Sequence, residues 1–496
     1  MRRTTTTLTM VLLAALFVPA VTSEAAAPPS ASPVTLTVLS PSDIVDTVGT
    51  HAGDVSSLAT RDLHGSASDP SRSVRFSGPD GYDGYRVYSL PHQIDPESIT
   101  TITLATNFRG PIAARAAWTW WIYDWANEAW VRIGDQDHCG GDRGTEQWPC
   151  DDLDRTPWKS IRDNVIHAAS SSLATFVDPT SHEIRIRSTA DHHSSARLDV
   201  ESLEVYSNDG STNAARWQPT AGLRWQWQIE GRAGQHEATG GIAVGVCQPT
   251  FGGGDCVRPD VFDIDLYVDP KIAGRFGWLL ETDAVNAIHA SDRHVIGYVT
   301  QGDAERWRPD YEQFVDFNEN CGGCLLGNPF SKRFPDEYWA NFSPGRGRMN
   351  FMLQMMRART DRVAATGFDG IEYDIADTYA NGGYPGFRVT AQTQLTYNIA
   401  MTEMAHEDGL AVALKNDGGQ IPDLVDHYDM AINEQCFQYH ECDPYSAFID
   451  QDKPVFEAEY KLDPSVFCPD AIAMGRSTIK KSNNYELFAH PWTPCA

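Results

Sequence analysis

The chain has little positive charge. Among its 496 residues, 39 are lysine or arginine and 67 are aspartate or glutamate, which gives a formal net charge of −28. Nucleic acids and anionic membrane surfaces bind basic side chains, so this composition argues against both as partners. A cationic partner would be attracted, although an acidic surface is also a general way to keep an exported protein soluble.

Long apolar runs and several common catalytic motifs are missing as well. Beyond the first 27 residues, no segment has the roughly 20 uninterrupted apolar residues of a transmembrane helix, so we expect no membrane span. The sequence has no Gly-x-Ser-x-Gly turn, phosphate loop or dinucleotide fingerprint. Glu403 and His406 lack the His-Glu-x-x-His pattern of a zinc site, and a solvated helix face explains them.

The first 27 residues have the layout of a cleavable secretory signal. Arg2 and Arg3 precede an apolar run from Leu8 to Val21, and small residues continue to Ala27. We therefore predict a signal peptide over residues 1–27 and a secreted, extracellular protein.

Ten cysteines fit an oxidising compartment, because their number is even and most lie close together in sequence. Sequential pairing into disulfides is the simplest assignment. Two alternatives are a redox motif at the Cys-x-x-Cys spacing and a zinc half-site near His138. The predicted disulfides are Cys139–Cys150, Cys247–Cys256, Cys321–Cys324, Cys436–Cys442 and Cys468–Cys495.

Short segments with alternating apolar and polar residues fill the range 33–207. Frequent Gly, Pro, Asp and Ser residues separate them, which predicts an all-β sandwich that resembles a jelly roll in pattern. A tryptophan-rich hairpin is predicted within it, with Trp118 and Trp120 on one face and Trp121 and Tyr123 on the other. These rings either fill the core or stack on sugars, and the second alternative would make the module carbohydrate-binding.

A polar segment, 208–216, is predicted to link this module to a second domain, 217–496. There, strand-like runs alternate with amphipathic segments such as 349–365 and 391–406. Repeated β-then-α units predict a (β/α)8 TIM barrel, although nine strand candidates are one too many. The candidates are 224–230, 261–268, 294–299, 338–342, 368–374, 410–415, 430–434, 455–460 and 477–480.

The ends of these strands carry many acidic, aromatic and amide side chains. In a (β/α)8 barrel, the carboxyl ends of the strands converge on one face, where the active site lies. Two carboxyl groups there suit the acid and nucleophile roles of glycoside hydrolysis, and rings and amides suit sugar binding. The candidates are Trp227, Asp265, Tyr298, Glu372, Asp374, Asp377, Lys415, Asn416, Asn433, Glu434, Glu459 and Tyr460.

Several of these candidates have structural alternatives. Alternation puts Glu372 and Asp374 on one face, and one of them is open to a structural role paired with Lys415. Asp263 and Asp265 fall early in their strand, which favours a structural role for both over a role in substrate binding. A calcium site formed by Asp374, Asp377 and backbone oxygens is a further alternative, but the EF-hand pattern is missing and we predict no metal.

Seven short motifs together resemble glycoside hydrolase family 114, the endo-α-1,4-polygalactosaminidases, over about residues 217–495. The resemblance implies a barrel that cleaves internal α-1,4 bonds of galactosamine-containing polysaccharide, with retention of configuration and without a cofactor. It also implies that Asp374 is the nucleophile and Glu434 the general acid/base. The motifs are Trp225-Gln-Trp-Gln228, Phe262-Asp-Ile-Asp265, Val295-Ile-Gly-Tyr298, Gly367-Phe-Asp-Gly-Ile-Glu372, Leu414-Lys-Asn-Asp417, Asn433-Glu-Gln-Cys-Phe437 and Glu459-Tyr460.

This resemblance sets further expectations. Retention requires the two carboxyl groups to lie about 5 to 5.5 Å apart. Free amines on the substrate would favour an acidic groove, so we expect a cationic amino-sugar polymer such as galactosaminogalactan as the partner. The chain departs from the family pattern at Ile375, where an asparagine usually follows the nucleophile. The alternative function is a non-catalytic carbohydrate-binding or adhesion protein whose barrel only holds sugar.

Overall fold

A computed structural model describes residues 33–59, 73–109, 118–135, 159–191, 194–210, 216–269, 272 and 279–496. The predicted signal peptide, residues 211–215 of the predicted linker and the Cys139–Cys150 pair lie outside the described residues.

The N-terminal module consists of two antiparallel sheets. Its strands are β1 Val34–Leu39, β2 Asp43–Val48, β3 Thr50–Ala52, β4 Val74–Gly78, β5 Gly81–Ser89, β6 Ile99–Arg109, β7 Trp118–Asp124, β8 Ala129–Asp135, β9 Lys159–Asn164, β10 Glu183–Asp191 and β11 Ser194–Asn208. One sheet has the order β3-β4-β11-β6-β9, with β1 also paired to β11, and the other has the order β2-β5-β10-β7-β8.

Alternate side chains of both sheets share one hydrophobic core. The predicted hairpin is confirmed as β7 and β8, which pair antiparallel. Trp118 and Trp120 are each 2% exposed and fill the core, whereas Trp121 and Tyr123 lie partly exposed on the opposite face. Period-two alternation thus separates the core rings from the outer rings.

A buried ion pair joins the two sheets across this core. Arg86 on β5 donates two hydrogen bonds of 2.6 Å to the carboxylate of Glu201 on β11, and both side chains are fully buried. The hydroxyl of Tyr88 donates to the same carboxylate. Removing one partner would leave a buried charge without compensation, so the pair disfavours any other alignment of the sheets.

The C-terminal module is built on parallel strands. Its strands are β12 Trp225–Trp227, β13 Gln248–Thr250, β14 Gly253–Val257, β15 Val261–Asp265, β16 His294–Thr300, β17 Asp303–Glu305, β18 Leu326–Pro329, β19 Glu337–Ala340, β20 Gly370–Asp374, β21 Ala411–Lys415, β22 Met430–Glu434, β23 Val455–Glu459, β24 Ser477–Lys480 and β25 Thr493–Pro494. The α-helices within the described ranges are α1 Thr282–His289, α2 Tyr311–Asn320, α3 Arg348–Thr366, α4 Ala391–Glu407, α5 Ile421–Leu424, α6 Cys436–Tyr439, α7 Ser446–Ile449 and α8 Pro464–Ala473.

Nine strands form the main sheet in the order β12-β15-β16-β20-β21-β22-β23-β24-β25. The first eight are parallel and follow one another along the chain, while β25 pairs antiparallel with β24. Parallel strands are covered on both faces, which explains why all five residues of β21 are buried. The parallel order places the carboxyl ends of these strands at one edge, where the candidate site lies.

One predicted strand of this sheet belongs elsewhere. Residues 338–342 were expected as a ninth barrel strand, but β19 pairs antiparallel with β17 and β18 in a separate three-stranded sheet. This small sheet is inserted between β16 and β20, which pair directly with each other. Composition cannot distinguish the two settings, because both bury apolar and aromatic side chains. Removing β19 from the count leaves the eight parallel strands.

The two modules pack against each other along α3. Arg362 is 1% exposed and donates hydrogen bonds of 2.8 Å to Thr103 and 2.7 Å to Asn164 of the N-terminal module. Gln354 bonds in both directions with the backbone of His167. Tyr206 of the N-terminal module lies in the hydrophobic core of the C-terminal module. The contact is therefore a packed, hydrogen-bonded interface.

Disulfides join Cys247 to Cys256, Cys321 to Cys324, Cys436 to Cys442 and Cys468 to Cys495. All four lie in the C-terminal module. Within the part of the chain that the structure describes, no helix is long and apolar enough to span a bilayer.

Candidate active site

The carboxyl ends of β20, β21 and β22 bring acidic and basic side chains together. In β20, Glu372 and Asp374 share one face, while Tyr373 between them points the other way and bonds Thr360 of α3. The alternation of the pleat therefore turns both carboxyl groups away from the helix layer.

Lys415, the last residue of β21, is the centre of this cluster. Its Nζ atom lies 2.8 Å from Glu372 Oε1, 3.0 Å from Asp374 Oδ1 and 3.5 Å from Glu434 Oε2. The ring of Trp227 lies beside the same nitrogen, 4.5 Å from it. Because Asp374 and Glu434 contact one nitrogen atom, their carboxyl groups are near neighbours.

Exposure divides the cluster into two layers. The side chain of Lys415 is 1% exposed and that of Glu372 is fully buried, whereas Asp374 is 23% and Glu434 28% exposed. A substrate from solvent can therefore reach Asp374 and Glu434 but not Glu372. Of the four residues, these two are the ones placed for chemistry.

Asp374 is held in its ionised form. Burial on its own raises its pKa, but the Lys415 ammonium and hydrogen bonds from Tyr298 and the Ile375 amide outweigh this and keep the pKa below its usual value. The Tyr298 hydroxyl donates at 2.7 Å and the Ile375 amide at 2.8 Å. An ionised carboxylate with fixed orientation is suited to act as a nucleophile.

Glu434, the last residue of β22, has a different set of partners. The Tyr460 hydroxyl donates to its Oε1 atom, and its backbone N–H donates to Asn416 Oδ1 at 3.0 Å. Asn416 is itself in a left-handed conformation, with φ of 54°. Its amide oxygen also accepts from Asn433 at 3.3 Å, so it fixes the backbone on which Glu434 stands.

Two predicted binding residues support the site from behind. Asn433 is 2% exposed and donates to the Tyr445 hydroxyl at 2.7 Å. Glu459 is fully buried and accepts from the backbone N–H groups of Phe437 and Gln438, so it anchors α6. Strand parity gives a signal for this, because the side chains of Ala458 and Glu459 point to opposite faces of β23.

Two predicted acids lie at the margin of the cluster. Asp265 forms a two-bond ion pair with Arg308, at 2.6 and 2.8 Å, which favours the structural alternative for it. Asp377 is partly exposed; burial, followed by the negative charge of Asp374, raises its pKa to about 6.

Sequence reasoning missed part of the site. Asp263 was assigned a structural role, yet it is fully buried directly beside Glu372. The inserted sheet adds Asp303, Glu305 and Glu337, whose charges act on Tyr298 or Asp374. Asp263 could have been found from its two-residue spacing to Asp265. The insertion has no such signal, because its position depends on the tertiary fold.

One group of potential metal-ligand atoms is present among the described residues, formed by Cys436, Cys442 and Glu457. The two cysteines are joined in a disulfide, so they do not offer thiolate ligands. At the alternative calcium position, Asp374 already bonds Lys415 and Tyr298.

Two accessible carboxyl groups around one buried cation are the arrangement of an acid and a nucleophile acting on one bond, as in glycoside hydrolysis. A family model for glycoside hydrolase family GH114 matches residues 207–490, and one for the N-terminal glycosyl-hydrolase-114-associated domain matches residues 58–200. The protein is thus a glycoside hydrolase. More narrowly, the chain belongs to family GH114.

Two solved structures illustrate the relatives. Aspergillus fumigatus Ega3, crystallised in complex with galactosamine, is 26% identical, with 56% of this chain and 98% of that chain covered and a TM-score of 0.43. The glycoside hydrolase domain of PelA from Pseudomonas aeruginosa is 10% identical, with 54% and 97% covered and a TM-score of 0.36. Comparison with curated protein sequences gives no match.

Proposed function

We propose that the protein is a secreted, retaining endo-glycosidase, with Asp374 as nucleophile and Glu434 as general acid/base. The observation that carries the proposal is the contact of both carboxyl groups with Lys415, combined with their exposure to solvent. Neither group needs a cofactor for these roles.

The two carboxyl groups act in sequence in this mechanism. Glu434 gives its proton to the leaving glycosidic oxygen while Asp374 attacks the anomeric carbon, which forms a covalent glycosyl-enzyme. Glu434 then removes a proton from water, and the water releases the sugar from Asp374. Lys415 and Tyr298 keep Asp374 ionised for the first step.

The proposed substrate is an α-1,4-linked polysaccharide that contains galactosamine. Membership of family GH114 supports this, since the sequence motifs resemble those of its endo-α-1,4-polygalactosaminidases. The net charge of −28 also favours a cationic polymer. Ile375 replaces a family asparagine beside the nucleophile, so we expect its side chain to influence substrate preference.

We further propose that the eight parallel strands close into a (β/α)8 barrel spanning residues 217–496. Support comes from contacts between the two ends of the sheet: Ser477 on β24 donates to the backbone of Leu223, just before β12, and the indole of Trp492, just before β25, donates to the Trp225 carbonyl of β12 at 3.0 Å. The N-terminal module, residues 33–207, is then a jelly-roll-like accessory domain whose outer rings bind carbohydrate.

The first experiment is hydrolysis of partially deacetylated α-1,4-galactosamine polymer by the purified protein. Oligosaccharide release is expected from the parent and from neither Glu434→Gln nor Asp374→Asn. Azide supplied to Asp374→Gly is expected to replace the missing nucleophile and give a glycosyl azide of inverted configuration, which would assign Asp374 directly.

Other outcomes would change the assignment. If the parent binds the polymer without releasing oligosaccharides, the protein is a carbohydrate-binding protein or acts on another amino sugar. If the first product has the inverted configuration, water attacks directly and Asp374 acts as a base. Binding by Glu434→Gln serves as the control that its site remains folded.

A further inference from the structure

Asp263 is a buried acid that forms no ion pair among the described residues. It lies on β15, it is fully buried, and neither of its carboxyl oxygens receives a hydrogen bond from an N–H or hydroxyl group within the described residues. The charged groups that act on it are Glu372, Lys415 and Asp374. Lys415 is already bonded to the other two.

Four carboxyl groups therefore surround one lysine: those of Asp263, Glu372, Asp374 and Glu434. An ionised carboxylate in such a setting, with no donor of its own, is strongly disfavoured. A proton placed between Asp263 and Glu372 removes the conflict, because a carboxylic acid donates a hydrogen bond that a carboxylate accepts. Burial, then the charge of Glu372, raise the pKa of Asp263 well above its usual value.

We propose that Asp263 is a protonated positioning residue that donates a hydrogen bond to Glu372 and so leaves Lys415 free to hold the nucleophile. In this arrangement, Glu372 is shared between one acid and one ammonium, and Lys415 keeps its contact with Asp374 Oδ1 at 3.0 Å. An ionised Asp263 would instead compete with Asp374 for the single ammonium. The inference rests on the role of Asp374 given under the proposed function.

Infrared difference spectroscopy tests the proton directly. The difference between the wild-type protein and Asp263→Asn at about pH 7 is expected to show the carbonyl stretch of a protonated carboxylic acid, because carboxyl groups with ordinary pKa values are ionised there. Asp426→Asn, which removes an exposed carboxyl group just before β22, is the matched control and is expected to show no such band. A difference spectrum between wild type and Asp263→Asn that lacks the band would overturn the proposal.

The pH dependence of unfolding gives an independent measure. A carboxyl group whose folded pKa lies above its unfolded value lowers stability as pH rises, and Asp263→Asn removes that effect. The denaturation midpoint of Asp263→Asn is therefore expected to increase relative to wild type from about pH 4 to about pH 8. A difference that stays constant over this range would contradict a protonated Asp263.

Enzymatic activity distinguishes a positioning role of Asp263 from a role in packing alone. The amide of Asp263→Asn still donates to Glu372, whereas Asp263→Ala cannot, so kcat of the alanine variant is expected to be about tenfold or more below that of the asparagine variant. The acid limb of kcat/KM is expected at higher pH in Asp263→Ala only. Equal losses in both variants, with unmoved pH limbs, would show that Asp263 only fills space.

These measurements also test the protonation of Asp263 independently of the proposed function. If the wild-type protein does not hydrolyse the galactosamine polymer, the proposed substrate fails. The infrared band and the unfolding curves still decide whether Asp263 carries a proton.

Discussion

Lys415 is the residue on which both proposed catalytic carboxyl groups depend. It is 1% exposed, and its ammonium is the group that offsets the effect of burial on Asp374. The nitrogen also bonds Glu372, which is fully buried. A single side chain therefore combines a stabilising role in the core with control of the charge of Asp374, the proposed nucleophile.

Lys415→Met is expected to lower kcat by at least about 100-fold and stability by about 3 kcal/mol, because it leaves buried carboxylates without a cation. The pKa of Asp374 would rise, and since attack requires the ionised form, the acid limb of kcat/KM would shift to higher pH. Activity measured from acidic to neutral pH tests this. Lys453→Met, before β23, is the control; an unshifted acid limb in Lys415→Met would refute the role.

Lys481 is a second buried lysine, placed just after β24. Burial lowers its pKa to about 7, and its neighbours are the neutral oxygens of Gln226 and Phe488. Above about pH 7, the unfolded chain retains a proton that the folded protein has lost, so stability is expected to increase with pH up to about pH 10. The gain is at most about 1.4 kcal/mol per pH unit.

Lys481→Met is expected to lack this increase. Urea midpoints measured across the same pH range provide the comparison, with the exposed Lys332→Met as control. Parallel curves for wild type and Lys481→Met would show that the folded pKa of Lys481 is not lowered.

At the scale of elements, an exposed tyrosine follows each of β20 and β22, the strands that carry Asp374 and Glu434. Tyr384 follows β20 and is 57% exposed, and Tyr439 closes α6 after β22 and is 58% exposed. These are the most exposed aromatic side chains among the described residues. A pyranose packs its apolar face on such a ring, so we expect both to bind sugar units beyond the cleaved bond.

Tyr384→Ala and Tyr439→Ala are each expected to lower kcat/KM on long polymer by about tenfold, in line with the loss of one stacking contact. The effect on short oligosaccharides is expected to be small, because they do not reach both rings. Product-size distributions from the two substrates measure this. The control is Ile472→Ala, which changes an apolar residue near the end of α8 that is 50% exposed. An equal loss on short substrates would exclude the binding role.

The elements show what the sequence can and cannot specify. Apolar runs identify the buried parallel strands, and parity in β20 correctly places Glu372 and Asp374 together. Glu459 was predicted to bind substrate, and the sequence did not indicate that its side chain accepts hydrogen bonds from backbone N–H groups of α6. The strand at 338–342 was misassigned because pairing partners depend on distant segments. The proton that we propose for Asp263 depends on contacts between side chains of β15, β20 and β21. No local sequence pattern indicates such contacts.

The whole molecule is held together by an interface that resembles a domain core. Tyr206 is fully buried in the hydrophobic core of the C-terminal module, and α3 supplies hydrogen bonds to the N-terminal module through Arg362. The free energy of unfolding of the two modules is therefore linked. We expect tryptophan fluorescence and enzymatic activity to be lost together in denaturant.

Tyr206→Ala is expected to lower the stability of the whole chain by about 3 to 5 kcal/mol, because it opens a cavity between the modules. Val38→Ala, at a site on β1 that is 58% exposed, is the control and is expected to change stability by less than about 0.5 kcal/mol. Denaturation followed by both signals tests this. Activity that survives a first transition would show that the modules unfold separately.

The same interface limits how the modules can be recombined. Asn164 of the N-terminal module bonds Arg362 and also exchanges two hydrogen bonds with Gln313 on α2, so its backbone and side chain are both matched to this particular C-terminal module. Grafting the N-terminal module onto an unrelated enzyme would expose Tyr206 and leave these polar groups unsatisfied. In protein engineering, the two modules must therefore be exchanged together. A chimera that contains the N-terminal module must also contain α2 and α3.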